Sequence, residues 1–169
     1  DSRGFYTSRT FGTFVMEGAA MLGEGISAAA IENAGIQCGM PVGPLAVLDE
    51  TALSLSVHVL DQTRADYAAE GKTYIAAPGE LIVERMVKEF DRNGRAAGAG
   101  FYDYPADKAV KKSLWPELKN LFEKPAVSWN IDDMKNYWQP GKEGIQQVYA
   151  EYQRYNNPWF TVKERQRGH

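Results

Sequence analysis

The chain has 169 residues, enough for one compact domain or a domain with an appendage and too few for two ordinary ones. With 44% apolar and 24% charged residues it has the composition of a globular protein, which argues against a disordered chain. Nineteen basic against 22 acidic side chains leave a formal net charge of −3, which is no basic field for a nucleic acid, and no apolar run reaches the roughly 20 residues that span a bilayer.

Helical periodicity begins near the start of the chain. Phe11, Phe14, Val15, Ala19 and Leu22 form an apolar stripe on one helix face. Ser27 stands as the N-cap of a short helix, Ala28 to Ala34, ending at Gly35. Pro44 suits the first turn of a third helix, where its missing N–H leaves no acceptor unpaired. That helix is predicted to carry Leu45, Leu48, Ala52, Leu55 and Val59 along one side. A fourth follows Pro78-Gly79, with Ile82, Met86 and Phe90 four apart, and stops at Asn93-Gly94. Gly98 to Tyr104 then reads as a tight turn and a short extended piece.

Composition shifts after Tyr104. Residues 1–104 carry 8 basic and 14 acidic side chains, a net charge of −6, and 13 of the 16 glycines. Residues 105–169 carry 11 basic and 8 acidic side chains, a net charge of +3, and all four tryptophans, Trp115, Trp129, Trp138 and Trp159. The first stretch reads as the domain proper and the second as an aromatic-rich extension packed on it. In the extension Val110 and Leu114 keep a helical spacing, but Pro116 cannot lie inside a straight helix, so two helices are predicted, 107–114 and 116–123. A further helix is predicted at 143–156, where Ile145, Val148, Tyr149 and Tyr152 share a face. Strand signal is nearly absent. The expected fold class is all-α, a helical bundle.

Few residues offer chemistry. A single cysteine, Cys38, allows no internal disulfide and no Cys-based zinc site, fits a reducing compartment, and reads as a packed thiol. No metal site is expected. His58 falls within the third predicted helix near Ser54, Asp61 and Gln62 and reads as a hydrogen-bonded structural residue. The other histidine, His169, ends the sequence. The GRAAGAG loop, Gly94 to Gly100, invites a phosphate-cradle reading, but a dinucleotide fingerprint needs a strand before it and a helix after it. Here a helix precedes and an extended aromatic segment follows, so a plain turn is the better reading. Asp132-Asp133 and Asp49-Glu50 are adjacent carboxylates that point to different sides of a helix, explained as capping or surface charge. Glu17 lies close to the apolar stripe of the first helix and needs a partner, with Arg9 or Arg64 as candidates. The sequence opens on Asp1 with no signal-peptide pattern, which is expected of a processed product or a piece of a longer chain.

Three segments, in this order, resemble the C-terminal domain of 3-hydroxyacyl-CoA dehydrogenases, of the kind found in multifunctional fatty-acid oxidation proteins. Gly4-Phe5-Tyr6-Thr7-Ser8-Arg9, running into Phe14-Val15-Met16-Glu17-Gly18-Ala19, is similar to the family's Gly-Phe-x-x-Asn-Arg opening and the Asn/Met-Glu-Ala helix that follows it. Gly39-Met40-Pro41-Val42-Gly43-Pro44-Leu45, with Asp49 four residues on, is similar to its Gly-x-Pro-Met-Gly-Pro-Phe-x-Leu-x-Asp. Gly94 to Tyr104 is similar to its Gly-Arg-Lys-Thr-Gly-x-Gly-Phe-Tyr-x-Tyr. Residues from 105 onward are not covered.

The resemblance implies a helical bundle like those of 3-hydroxyacyl-CoA and 6-phosphogluconate dehydrogenases, packed beside an N-terminal Rossmann domain. In such enzymes that preceding domain holds NAD and a catalytic His–Glu pair. NAD there accepts hydride from the 3-hydroxyl of an acyl-CoA during fatty-acid β-oxidation. On this reading the present chain has no catalytic residue and no cofactor of its own. It closes the substrate cleft and supplies the contact for a homodimer or an intramolecular domain partner, in the cytoplasm. The expected acyl-CoA contacts are Ser8, Gly39, Met40, Pro41, Gly43 and Pro44, and Glu17 with Arg9 is an expected structural ion pair. Ser8 stands where the family has Asn, offering one hydroxyl in place of an amide's donor and acceptor. Ala96 and Ala97 stand where Lys-Thr is common. The competing expectation is a stand-alone, non-catalytic helical assembly module.

Overall fold

The computed structural model describes residues 6–107, 109–124 and 132. The first helix, α1, runs from Tyr6 to Glu24. Its stripe works as predicted from Phe14 onward, with Phe14, Val15, Ala19 and Leu22 all buried, while Phe11 sits 39% exposed at the edge of the packed region. The helix stops where Gly25 takes φ +107°: Gly25 N–H donates to Leu22 O and Ile26 N–H to Met21 O, closing the free carbonyls of the last turn. Ile26 is then buried against the core, which anchors the reversal.

Helix α2, Ala28–Gln37, opens at the predicted cap, where Ser27 Oγ accepts the Ala30 N–H at 3.2 Å. It runs past the expected end at Gly35. That glycine is a packing residue: a Cβ there would stand 2.9 Å from Pro44 Cδ. The residue that turns the chain is Gly39, with φ +95°. Gly18 of α1 closes the other side of the same proline, since its Cβ would meet Pro44 Cγ at 2.5 Å. Pro44 is thereby wedged between α1 and α2.

The single third helix expected from the spacing of Leu45, Leu48, Ala52, Leu55 and Val59 is two helices, α3, Pro44–Glu50, and α4, Leu53–Ala69. Between them Ala52 takes φ +66°, and Leu53 N–H donates to Asn93 O at 3.1 Å. The break rotates the buried face. Leu53, Val57 and Leu60 turn inward, while Leu55 and Val59 are 57% and 56% exposed.

Helix α5, Pro78–Lys88, buries Ile82, Val83 and Met86 against α1 and packs on α4. Its first turn is held by Glu80, whose Oε2 accepts Ala77 N–H at 2.7 Å. It ends at Lys88, short of Asn93-Gly94, and Asp91, at φ +53°, returns the chain so that Arg92 N–H reaches Met86 O. Arg64 of α4 grips both carboxylate oxygens of Glu84 at 2.7 and 2.9 Å, and Lys88 and Asp61 join that surface network. Hence α1 lies centrally, touching α2, α3 and α5.

After the short 3-10 turn Arg95–Ala97 the chain forms strand β1, Tyr102–Asp103, antiparallel to β2, Ser113–Leu114, with Tyr102 opposite Leu114. The helix predicted at 107–114 is therefore not formed, because its last two residues are committed to the strand pair. The helix predicted at 116–123 exists as α6, Glu117–Leu121. Residues 113–124 pack onto the preceding helices. Leu118 and Phe122 are buried in the common core, Phe90 meets the rings of Trp115 and Phe122, and Lys124 N–H donates to Gly25 O. The expected helix at 143–156, Trp129, Trp138, Trp159, Asp133 and His169 lie outside the described residues.

Candidate functional site

Helix α3 begins without local help for its amides. Its N-cap is Gly43, which has no side chain to accept a hydrogen bond, and Pro44 brings no N–H. The free donors of Leu45 and Ala46 are taken instead by Glu32 of α2, whose Oε1 lies 2.7 and 3.4 Å from them. Glu32 is 7% exposed, and its Oε2 accepts the Tyr102 hydroxyl at 2.7 Å. Gly43 is a glycine because the carboxylate of Glu32 occupies the space of a Cβ. One side chain thus joins α2, the turn before α3, and β1. Burial pushes its carboxyl above the usual range, against the pull of those three hydrogen bonds.

Asp49, at the far end of α3, is 1% exposed. Its carboxylate accepts Phe101 N–H at 2.8 Å, Tyr102 N–H at 2.9 Å and the Tyr104 hydroxyl at 3.0 Å. A Cβ at Gly100 would fall inside that carboxylate. Burial raises the Asp49 carboxyl to about 6 despite the three donors and the nearby Arg92. The same burial and the two carboxylates hold the Tyr102 and Tyr104 phenols well above their ordinary range, so both stay protonated donors. Reading Asp49 as capping or surface charge is therefore corrected. It is an interior acceptor for a segment 52 residues downstream.

Arg92 completes the support. Its Nε donates to Gly100 O and its Nη2 to Tyr102 O and Asp103, while its guanidinium stacks 4.2 Å from the Trp115 ring centroid. Lys112 lies over the rings of Tyr102 and Tyr104. The GRAAGAG loop folds on itself: Gly94 N–H donates to Ala99 O, Gly98 N–H to Arg95 O and Gly100 N–H to Tyr102 O. Those three amides are already paired and are not free to cradle a dinucleotide pyrophosphate.

The expected contact residues fall into two groups. Gly39, Met40 and Pro41 are exposed on the turn between α2 and α3, whereas Gly43 and Pro44 are buried packing positions with no face open to a ligand. Ser8 and Arg9 lie on the first turns of α1, and the placement of their side chains is outside the described residues. Glu17 is half-buried on α1, and its other candidate partner, Arg64, holds Glu84 with both terminal nitrogens. His58 is exposed on α4, and Cys38 is half-buried beside the turn. Gly18 faces Ile31, and Gly35 faces Phe14, an antiparallel register that carries the first turns of α1 toward Gly39–Pro41. The side chains of Phe11, Ile36 and Met40 are left exposed at this end of the two helices.

Residues 4–104, more than half of the chain, match the family described as 3-hydroxyacyl-CoA dehydrogenase, C-terminal domain. The chain belongs to that family. The match contains both carboxylates of the network, the glycines pressed against them, and Tyr102 and Tyr104. Its end at Tyr104 falls before β2 and α6, which pack into the same core. Among the described residues no helix is long and apolar enough to cross a membrane.

Glu32 was not singled out in the sequence, and its signal was indirect. A Gly-Pro helix start with no polar N-cap announces a missing acceptor, but it does not say where the acceptor comes from. Asp49 was visible as the last residue of the Gly39–Asp49 motif and as half of the Asp49-Glu50 pair, but neither signal points to its buried setting.

Proposed function

We propose that the chain forms one wall of the acyl-CoA cleft of an NAD-dependent 3-hydroxyacyl-CoA dehydrogenase of fatty-acid β-oxidation, working with a Rossmann domain that carries the dinucleotide and the proton-transferring residues. The observation that supports this reading is the contact of two family motifs, in which Pro44 packs against Gly18 of α1. The first turns of α1, with Ser8, run toward the exposed Gly39-Met40-Pro41 turn, and the exposed side chains of Phe11, Ile36 and Met40 beside them suit the apolar part of an acyl chain. Ser8 and the turn are the polar and backbone contacts in this reading, and Gly43 and Pro44 support them from below.

The test is made on the natural gene product isolated from its source cells. Its intact mass is measured, and it is assayed for oxidation of 3-hydroxyacyl-CoA with NAD. A product extending well beyond this sequence that reduces NAD supports the proposal. A product of this size without activity overturns it.

The rival reading, an assembly module, draws on Leu55 and Val59, an exposed apolar pair one turn apart on α4. An acyl-CoA titration with sedimentation separates the two. Saturable binding supports the cleft, and tight self-association without binding supports the module.

A further inference from the structure

The turn at the proposed cleft edge has an unusual anchorage. Helix α3, which follows it directly, takes its N-terminal acceptor from another helix, because Gly43 and Pro44 supply none. That acceptor, Glu32, is buried, touches the turn through Gly43, binds Leu45 and Ala46, and is itself held by Tyr102. The core contacts of Leu45 and Leu48 and the wedged ring of Pro44 hold the body of α3, so the Glu32 carboxylate bears on its first amides and on Gly43 just before them.

We infer that Glu32 is a positioning residue for acyl-CoA, setting the Gly39–Pro41 turn from within, with Tyr102 as its second anchor. This rests on the proposed function above. Glu32 does not touch the ligand. It acts through Gly43 and the first amides of α3, so its effect falls on acyl-CoA binding and leaves dinucleotide binding alone.

The experiment uses the intact enzyme that contains this chain, with 3-hydroxybutyryl-CoA and NAD as substrates. Glu32→Ala is expected to raise KM for the acyl-CoA about tenfold, with kcat and the KM for NAD within twofold of the parent. Glu32→Gln is expected to restore most of the loss, since its amide oxygen still accepts Leu45 N–H and its NH2 can donate to the Tyr102 hydroxyl. Tyr102→Phe removes one hydrogen bond without a cavity, and a rise in acyl-CoA KM of about threefold is expected, which keeps the idea testable if Glu32→Ala does not fold.

Folded variants whose acyl-CoA KM stays within twofold of the parent overturn the inference, as do equal rises in both KM values, which mark a general structural loss. An intact parent protein with no oxidation of 3-hydroxyacyl-CoA counts instead against the dehydrogenase reading, and the inference falls with it.

Discussion

At the scale of single residues, the strongest lever is the buried acid Asp49. Its carboxyl is raised to about 6 by burial, whereas in an unfolded chain it titrates near ~3.9. The folded state therefore binds the proton more tightly, and the contribution of Asp49 to stability grows as pH falls through 6 toward 4. Between pH 7 and pH 5 that gain is on the order of 1 kcal/mol, by linkage of the two pKa values. Asp49→Asn removes this titration and turns an amide NH2 toward a backbone N–H. It is expected to destabilise by about 1–3 kcal/mol at pH 7. Thermal melts at pH 7 and pH 5 should show the gap between parent and variant widening at the lower pH. A constant gap would mean that Asp49 does not titrate in this range. Ala52 offers the opposite lever. At φ +66° an alanine is strained, while a glycine is tolerated. Ala52→Gly is expected to stabilise by about 1 kcal/mol, a rise in melting temperature of ~2–4 °C for a chain of this size. A fall would show that the loop enforces this backbone for any side chain.

Among the elements, α6 and β2 matter most, because they lie beyond the family match yet close the core. Phe122 and Leu118 are 5% and 1% exposed, and the rings of Phe90, Trp115 and Phe122 pack together under Arg85 and Arg92. Phe122→Ala and Leu118→Ala are each expected to cost about 2–5 kcal/mol in a denaturant titration of the full chain. A loss below about 1 kcal/mol in both would show that this segment is dispensable to the domain. The same elements show what can be read from a linear sequence. The helices were legible wherever local signals agree: the Phe14–Leu22 stripe, the Ser27 cap, and Pro78 at a first turn. Those features depend on neighbours within four residues. The break at Ala52 was not legible, since the apolar spacing runs straight through it and no Gly or Pro stands there. What breaks the helix is Asn93 O, 40 positions away, holding Leu53 N–H. Residues 113–114 kept a helical spacing yet became a strand, because Tyr102 and Asp103 offered an open edge. The site divides in the same way. Gly39, Met40 and Pro41 were recognisable by motif, whereas Glu32 and the true setting of Asp49 depend on contacts 13 to 70 residues apart.

At the scale of the whole molecule, the described residues form a support in which the buried carboxylates Glu32 and Asp49 tie α2 and α3 to the segment around β1. In the glycine loop the Gly94, Ala97, Gly98 and Ala99 amides donate to the loop's own carbonyls and Gly100 N–H donates to Tyr102 O, while His58 lies exposed on α4. The two raised carboxyls, Glu32 and Asp49, look like candidates for acid–base chemistry, because perturbed acids gather at active sites. Here, however, each is buried and accepts three hydrogen bonds from protein donors, an arrangement that suits them to holding backbone. The expected outcome is specific. The purified chain, mixed with acetoacetyl-CoA and NADH, shows no oxidation of NADH above the blank, and calorimetry detects no NAD binding. Supplying a Rossmann domain from an intact enzyme of the family in trans should restore measurable turnover if the two surfaces still fit, with a KM for acyl-CoA that responds to Glu32→Ala. Turnover by the chain alone would mean that its chemistry rests on residues other than those assigned here, and the division of labour between the two domains would have to be abandoned.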